Sequence, residues 1–287
     1  MGTIAAQRYA VFKLRIGVAI TLTALAGLVA AGGTEVPTWQ AVVLALAILL
    51  SSASAGAFNQ YAERALDARM RRTRGRPFVT GLFRPGRAWL VAIVAILVLA
   101  VGMAAVALNV MVAVHVFLGA FVYGVVYTVW LKQRTWLNIV VGGLAGSFAV
   151  LAGASVVDPG LGPVPIVLAM VLFLWTPPHF WSLATVLQND YAEAGVPMLP
   201  VVVGPRKAAW ATLAHTLVLV PLSLVPVAFG FGWIYFAAAA SGGLYFIYRS
   251  VILVRQPTAA MAMANFRASL VQLTALLVGV IVDGLLP

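Results

Sequence analysis

Two short acidic stretches hold the residues best suited to chemistry in this chain. The first reads Asn59-Gln-Tyr-Ala-Glu63-Arg-Ala-Leu-Asp67. On a helix the i, i+4, i+8 spacing puts Asn59, Glu63 and Asp67 on one stripe, with three side-chain oxygens facing the same way. Such donors suit a hard cation such as Mg²⁺, which keeps several waters and is usually held by one or two carboxylates plus substrate phosphates. Directly behind follow Arg69, Arg71, Arg72, Arg74 and Arg76, whose planar guanidinium forks fit phosphate oxygens as lysines do not. Taken alone, the stretch also reads as a solvated helix end with i, i+4 ion pairs. The second stretch, Gln188-Asn-Asp190-Tyr191-Ala-Glu193, places two carboxylates at i, i+3 before a turn rich in glycine and proline, Gly195 to Pro200. A polar helix terminus explains that pair by itself. Two acidic pairs set among arginines point further, to a site that binds a metal and an anion together, with Asn59, Glu63, Asp67, Asp190 and Glu193 as candidate ligands.

Three other segments accompany them. Trp175-Thr-Pro177-Pro178-His179-Phe180-Trp181 sets two prolines in an apolar run, where they should break the helical hydrogen-bond ladder. Backbone freed in this way is tolerated where it is buried in protein or lines a cavity, so the stretch is expected to face a central pocket. His179 reads either as a packed, hydrogen-bonded residue or as a contact to a haem iron or propionate. The neighbouring aromatics read as helix packing or as faces that steady a passing carbocation. Tyr127-Thr-Val-Trp-Leu-Lys132-Gln-Arg-Thr-Trp-Leu-Asn138 leads into Gly142-Gly143-Leu-Ala-Gly146, a run that either lets helices approach closely or clears room for a ligand.

The elements that must position these residues are membrane helices. Of 287 residues 63% are apolar and 9% charged, whereas roughly 25% of an ordinary soluble domain is charged. There is no cysteine, which excludes a disulfide scaffold, thiolate-bound zinc or iron–sulfur, and a cysteine nucleophile. A span needs about 20 apolar residues. Residues 16–34 and 36–58 supply two spans separated by Gly32-Gly33-Thr34-Glu35. The uncharged run 88–131 is long enough for two, folding back around Leu108-Asn109. The stretch 136–187 is divided by Asp158-Pro159-Gly160, Pro163 and Pro165, and 208–248 by Gly230-Phe231-Gly232; a ninth span starts at about Ala264. The expectation is an all-α polytopic membrane protein with nine transmembrane helices, one integral-membrane domain over residues 1–287. The first span lacks the small-residue cleavage site of a removable signal peptide.

Nine spans place every basic residue on one side. Arg8, Lys13 and Arg15 precede the first; Arg64, Arg87 and the six arginines between them follow the second; Lys132 and Arg134 follow the fourth; Arg206 and Lys207 follow the sixth; Arg249, Arg255 and Arg267 surround the connection from eighth to ninth. The net charge of +11 is therefore read as cytoplasmic anchoring, with the N-terminus cytoplasmic and the C-terminus outside, and not as binding to nucleic acid. Both acidic pairs and Lys132 then share the cytoplasmic rim. A transporter would instead place charges at mid-membrane within paired halves.

The residues resemble the UbiA superfamily of intramembrane prenyltransferases, and within it the haem O synthase branch. The resemblance rests on Asn59-x3-Glu63-x3-Asp67-x2-Met70-x-Arg72-Thr73-x2-Arg76-Pro77, on Tyr127-Thr-x3-Lys132 with Thr135 and Asn138, on Trp175-x-Pro177-Pro178-His179-Phe180, and on Asp190-Tyr191-x2-Ala194-Gly195-x-Pro197-Met198-Leu199-Pro200. Departures fall at Leu14, at Ala149-Val150 where that branch has two prolines, at Glu63 where many members have Asp, and at Ala194 where the superfamily has a second carboxylate. The resemblance implies a UbiA-type bundle in the cell (inner) membrane. It also implies Mg²⁺-dependent transfer of a farnesyl group from farnesyl diphosphate to a vinyl group of haem b. Asn59, Glu63, Asp67, Lys132 and Asp190 would be catalytic, and Arg71, Arg72, Arg76, Tyr127, Asn138, His179 and Tyr191 would bind substrate. Downstream partners would be a haem A synthase or a terminal oxidase assembly. Another aromatic or lipid acceptor, or a non-enzymatic haem-handling role, stays open.

Overall fold

The computed structural model describes residues 10–286; Arg8, counted above with the basic residues before the first span, lies outside them. The described residues form helices and no strand. We label the long helices α1 (Leu14–Ala30), α2 (Thr38–Ala62), α3 (Arg87–Ala107), α4 (Val110–Leu131), α5 (Asn138–Ala154), α6 (Pro163–Val186), α7 (Leu199–Leu224), α8 (Trp233–Arg255) and α9 (Ala259–Leu285). Seven of them are long and apolar enough to cross a membrane, and α1 and α5 are shorter apolar helices. At a rise of about 1.5 Å per residue those two reach about 25 Å, slightly less than a hydrocarbon core of about 30 Å. The protein is a polytopic helical bundle. Its outer surface carries bare aliphatic side chains, among them Val106 at 91% exposed, a pattern suited to lipid.

The connections follow local chemistry. Gly32 takes a left-handed φ of 81° between α1 and α2. Leu108 and Asn109 make the corner between α3 and α4. Asn109 caps α4 by accepting from the Val112 N–H (2.9 Å), and its Nδ2 donates to the Ser155 carbonyl (2.7 Å), which fastens the end of α5. Gly230, at φ 102°, ends the turn between α7 and α8.

Two expectations about proline change. Pro163 and Pro165 are not loop residues but open α6, where a missing N–H costs nothing. Pro177 and Pro178 do not break α6, which is helical from Pro163 to Val186. The Phe173 carbonyl, which Pro177 cannot engage, lies against Gly143 of α5, 3.3 Å from where a Cβ there would sit, so it is buried in a close α5–α6 crossing and not exposed to lipid. The ninth helix also starts earlier than expected, at Ala259 behind a Thr258 cap, which sets the exposed Arg267 two turns inside α9.

Two apolar cores organise the bundle. One gathers Ala24, Leu44, Ile48, Ala100, Val112 and Val116 from α1 to α4; the other gathers Leu168, Leu219, Tyr235, Phe246 and Leu276 from α6 to α9. Helices α1 and α5 contribute to both and cross closely: a Cβ on Gly153 would collide with the Ala24 carbonyl oxygen. In the second half a buried polar seam joins the helices. Asn265 donates to Ser182 Oγ (2.9 Å), Ser250 donates to Asn265 Oδ1 (3.0 Å), and Trp175 Nε1 donates to the Ser269 carbonyl (2.9 Å). Within lipid such bonds hold helices together.

Candidate active site

The stripe read from the sequence exists, and it is buried. Asn59, Glu63 and Asp67 are 2%, 3% and 1% exposed. They do not share one unbroken helix: α2 ends at Ala62, Glu63 turns at φ −88°, ψ 6°, and one further helical turn, Arg64–Asp67, follows. All three line a cavity of about 650 Å³.

A cation meets each of the three oxygens. Lys13 Nζ donates to Asn59 Oδ1 at 2.6 Å, Lys132 Nζ to Glu63 Oε2 at 2.6 Å, and Arg76 Nη1 to Asp67 Oδ2 at 2.7 Å. Each cation comes from a different segment: the residue before α1, the end of α4, and the loop after Asp67. That loop curls back over the site because Thr73 Oγ1 donates to the Asp67 carbonyl at 2.9 Å. The charged lining comprises Lys13, Arg72, Arg76 and Lys132 against Glu63 and Asp67, so positive charge is in excess and an anion is favoured. Burial, and next the repulsion of Arg76, lower the Lys13 ammonium to about 7.

The end of α4 is a π-helix from Val122 to Leu131. Its wider turn lets the Lys132 N–H bond the Tyr127 carbonyl (2.9 Å) and sends Tyr123, Tyr127 and Lys132 to the cavity together. The two tyrosine rings stack with centroids 5.6 Å apart, Lys13 lying over the first and Lys132 over the second. The Tyr123 hydroxyl accepts from Lys13 at 3.0 Å. Thr128 Oγ1 accepts from Asn59 Nδ2 at 3.0 Å, joining the stripe to the same helix. Gly142 makes room for Tyr127: a Cβ there would sit 3.0 Å from Tyr127 Cδ2.

Other expected residues divide. Arg72, Arg76, Tyr127 and Tyr191 line the cavity. Burial raises the Tyr191 hydroxyl above its ordinary value, with Arg72 pulling the other way. Asp190 stands at the edge, its Oδ2 accepting from the Arg72 N–H at 3.3 Å, and so ties the second acidic stretch to the first. Glu193 is exposed and outside the cavity lining. Its helix buries Tyr191 and Ala194; Asp190, one turn before Ala194, is half-buried at the border of that face, and Glu193 lies off it. Arg71 is exposed and outside the cavity lining. Asn138 is buried behind the site, donating to the Lys132 (3.3 Å) and Thr135 (2.7 Å) carbonyls, and so shapes the turn that carries Lys132. His179 is packed away from the cavity: its Nδ1 lies 2.7 Å from Ser269 Oγ, and its ring stacks on Trp175 (4.2 Å) and Phe266 (4.4 Å). Of the α6 residues around it, Thr176 and Phe180 reach the cavity.

Lys13 and Tyr123 carry no assigned role in the sequence. Lys13 stands there as a basic residue before the first span, in the stretch Lys13-Leu14-Arg15 that departs from the family at Leu14. Tyr123, four residues before Tyr127, points inward because of the π-helix.

The fit of a divalent metal is specific in one respect. Glu63 Oε1 is buried without a hydrogen-bond partner, an acceptor that a cation would satisfy. Among the described residues no three His, Asp or Glu side chains converge on a point, so the five expected ligands do not form a closed cage. One or two carboxylates with the remaining positions left to water and phosphate is the usual way Mg²⁺ is bound.

The comparisons extend over the same elements. Residues 20–274 match the model of the UbiA prenyltransferase family. Protoheme IX farnesyltransferase 2 of Paramagnetospirillum magneticum is 58% identical over 276 residues, 96% of each chain. A solved structure of digeranylgeranylglyceryl phosphate synthase superposes with a TM-score of 0.80 at 15% identity, covering 98% of both chains. A UbiA homolog from Archaeoglobus fulgidus bound to DMAPP and Mg²⁺ superposes with a TM-score of 0.68 at 19% identity, over 93% of this chain and 99% of that one. A family model spanning most of the chain and a relative alike from end to end lead to one assignment: this protein belongs to the UbiA prenyltransferase family.

Proposed function

We propose that this protein transfers a farnesyl group from farnesyl diphosphate to a vinyl group of haem b, giving the hydroxyethylfarnesyl side chain of haem O. The supporting observation is the buried row Asn59, Glu63, Asp67, faced one by one by Lys13, Lys132 and Arg76, at the mouth of a cavity that becomes apolar with depth. The acceptor and the fifteen-carbon donor are those named by the relative that is 58% identical.

The diphosphate enters where cations outnumber carboxylates. Mg²⁺, held by Glu63 and Asp67 with Asn59 and with Asp190 at the edge, would supply Lewis-acid stabilisation of the charge on departing pyrophosphate. Arg72, Arg76 and Lys132 orient the phosphates and take part of that charge in a water-poor setting, where it counts for more. The C1–O bond of the donor breaks and the electron pair leaves with pyrophosphate. The allylic cation faces Tyr123, Tyr127 and Phe180, whose rings lower its energy. The terminal vinyl carbon of haem b attacks C1, and the cation left on the porphyrin-bound carbon takes up water and releases a proton. The apolar wall behind the charges receives the farnesyl chain, at about 0.8 kcal/mol per buried methylene. It also delays quenching of the cation by water.

In the membrane, the α2–α3 and α4–α5 connections face the cytoplasm by the Arg and Lys they carry, and Arg206 and Lys207 near the start of α7 and Arg255 at the end of α8 fall on the same side. The membrane is the cell (inner) membrane, and the product passes to a haem A synthase or a terminal oxidase assembly. The test is incubation of the purified protein with haem b, farnesyl diphosphate and Mg²⁺, followed by mass spectrometry. Haem O is the expected product. Intact haem with no farnesyl adduct, from protein that still binds haem, would overturn catalysis in favour of haem handling.

A further inference from the structure

The cavity has two ends of opposite character. From the charged mouth it runs inward between α1, α2, α4 and α5 past small residues, Gly56, Gly119, Ala120 and Gly146 among them. Along α2 its lining extends from Asn59 to Ile48, about 16 Å of helix at a rise of about 1.5 Å per residue. A chain of three isoprene units laid out from the carboxylates fills a tunnel of this order.

The end farthest from the carboxylates is lined by Ile48, Ala149 and His115, all buried. His115 is the unexpected member, because an imidazole deep in an apolar bundle is costly unless it is hydrogen-bonded. Its Nδ1 lies 3.2 Å from Ser155 Oγ, and its ring lies against Phe148 with centroids 6.0 Å apart and planes tilted by 30°. Ser155 is itself fixed, since Asn109 Nδ2 donates to its carbonyl at 2.7 Å. The ring is thus clamped from α5 and the α3–α4 corner, which makes it a firm stop. It stands a tunnel's length from the carboxylates, and no step of the transfer uses it.

We infer that His115, held by Ser155, is the floor that limits the donor to fifteen carbons, a specificity-determining residue for the reaction proposed above, on which this inference rests. A twenty-carbon chain has to displace a clamped ring, whereas a ten-carbon chain leaves the lower tunnel unfilled and forfeits the burial of one isoprene unit.

The experiment is a competition. Purified protein is given haem b and equimolar geranyl, farnesyl and geranylgeranyl diphosphates, and the adducts are counted by mass spectrometry. Wild type is expected to yield the fifteen-carbon adduct. His115→Ala should raise the ratio of twenty- to fifteen-carbon product by about 10-fold or more, the discrimination that a small volume change in an apolar pocket supplies. His115→Val, a milder loss of volume, should move the ratio the same way and serves if the alanine variant does not fold. His115→Leu, which keeps the bulk and removes the hydrogen bond to Ser155, should fall between wild type and His115→Ala. Gly146→Val, whose Cβ meets nothing within 4 Å, blocks the tunnel midway and should favour the ten-carbon donor. If His115→Ala and His115→Val keep the wild-type ratio while still making the fifteen-carbon adduct, the floor assignment is overturned, even if Gly146→Val shortens the product. If wild type makes no adduct with any donor, it is the transfer reaction itself that fails.

Discussion

Lys132 Nζ lies 2.6 Å from Glu63 Oε2, and both side chains are nearly closed to solvent. The pair joins the end of α4 to the end of α2 across the mouth of the cavity. A buried ion pair seldom adds net stability over an apolar pair of equal volume, while removing one partner costs about 3–5 kcal/mol. It sits at the mouth with Glu63 Oε1 still unpartnered, an acceptor left open for a further donor or cation.

Lys132→Met strands the Glu63 carboxylate. Thermal unfolding in detergent should show a destabilisation of about 3 kcal/mol, and turnover should fall by about 100-fold or more with loss of one charge on the departing pyrophosphate. The double variant Lys132→Met/Glu63→Gln should regain stability and not turnover. Recovery of both would remove Lys132 from the chemistry.

The acidic residues should separate by position. Asp67→Asn and Asp190→Asn are expected to cut turnover by about 100-fold or more in protein that remains folded. Glu193→Gln, a change at an exposed side chain, should stay within about twofold of wild type, as substitutions away from buried features do. Steady-state kinetics with farnesyl diphosphate decide it.

Gly142→Ala presses a methyl group on the Tyr127 ring at 3.0 Å. The ring must give by a few tenths of an ångström, and kcat/KM should fall by about 10-fold, because a misplacement of about 1 Å costs about 100-fold. Unfolding temperature should change little. An unchanged kcat/KM would mean that Tyr127 does not position the donor.

Gly153→Ala tests the scaffold. Its Cβ would collide with the Ala24 backbone oxygen, so α1 and α5 must separate. Overpacking of this kind costs about 1–3 kcal/mol, measurable as a lowered unfolding midpoint.

Much of this arrangement was legible beforehand, for reasons that also explain the gaps. The four-residue spacing of Asn59, Glu63 and Asp67 persists through the bend at Glu63, so a helical reading found the stripe. Leu108-Asn109 was recognisable as a corner because an uncharged run of twice the needed length has to fold back, and Asn caps the next helix. Pro177 and Pro178 misled because local propensity does not register what Gly143 and α5 provide around the freed carbonyl. Tyr123 was hidden by a π-helix, which has a period no apolar pattern signals. The role of Lys13 depends on a contact 46 residues away, beyond any local rule.

The central claim is that Glu63 and Asp67 bind a divalent cation together with the diphosphate. Isothermal titration of Mg²⁺ into purified protein, with and without farnesyl thiodiphosphate, measures this directly. Each ligand is expected to tighten the binding of the other in wild type, and this coupling to be lost in Glu63→Gln. Binding of the thiodiphosphate that is equally strong with and without Mg²⁺, or coupling that survives Glu63→Gln unchanged, would contradict it.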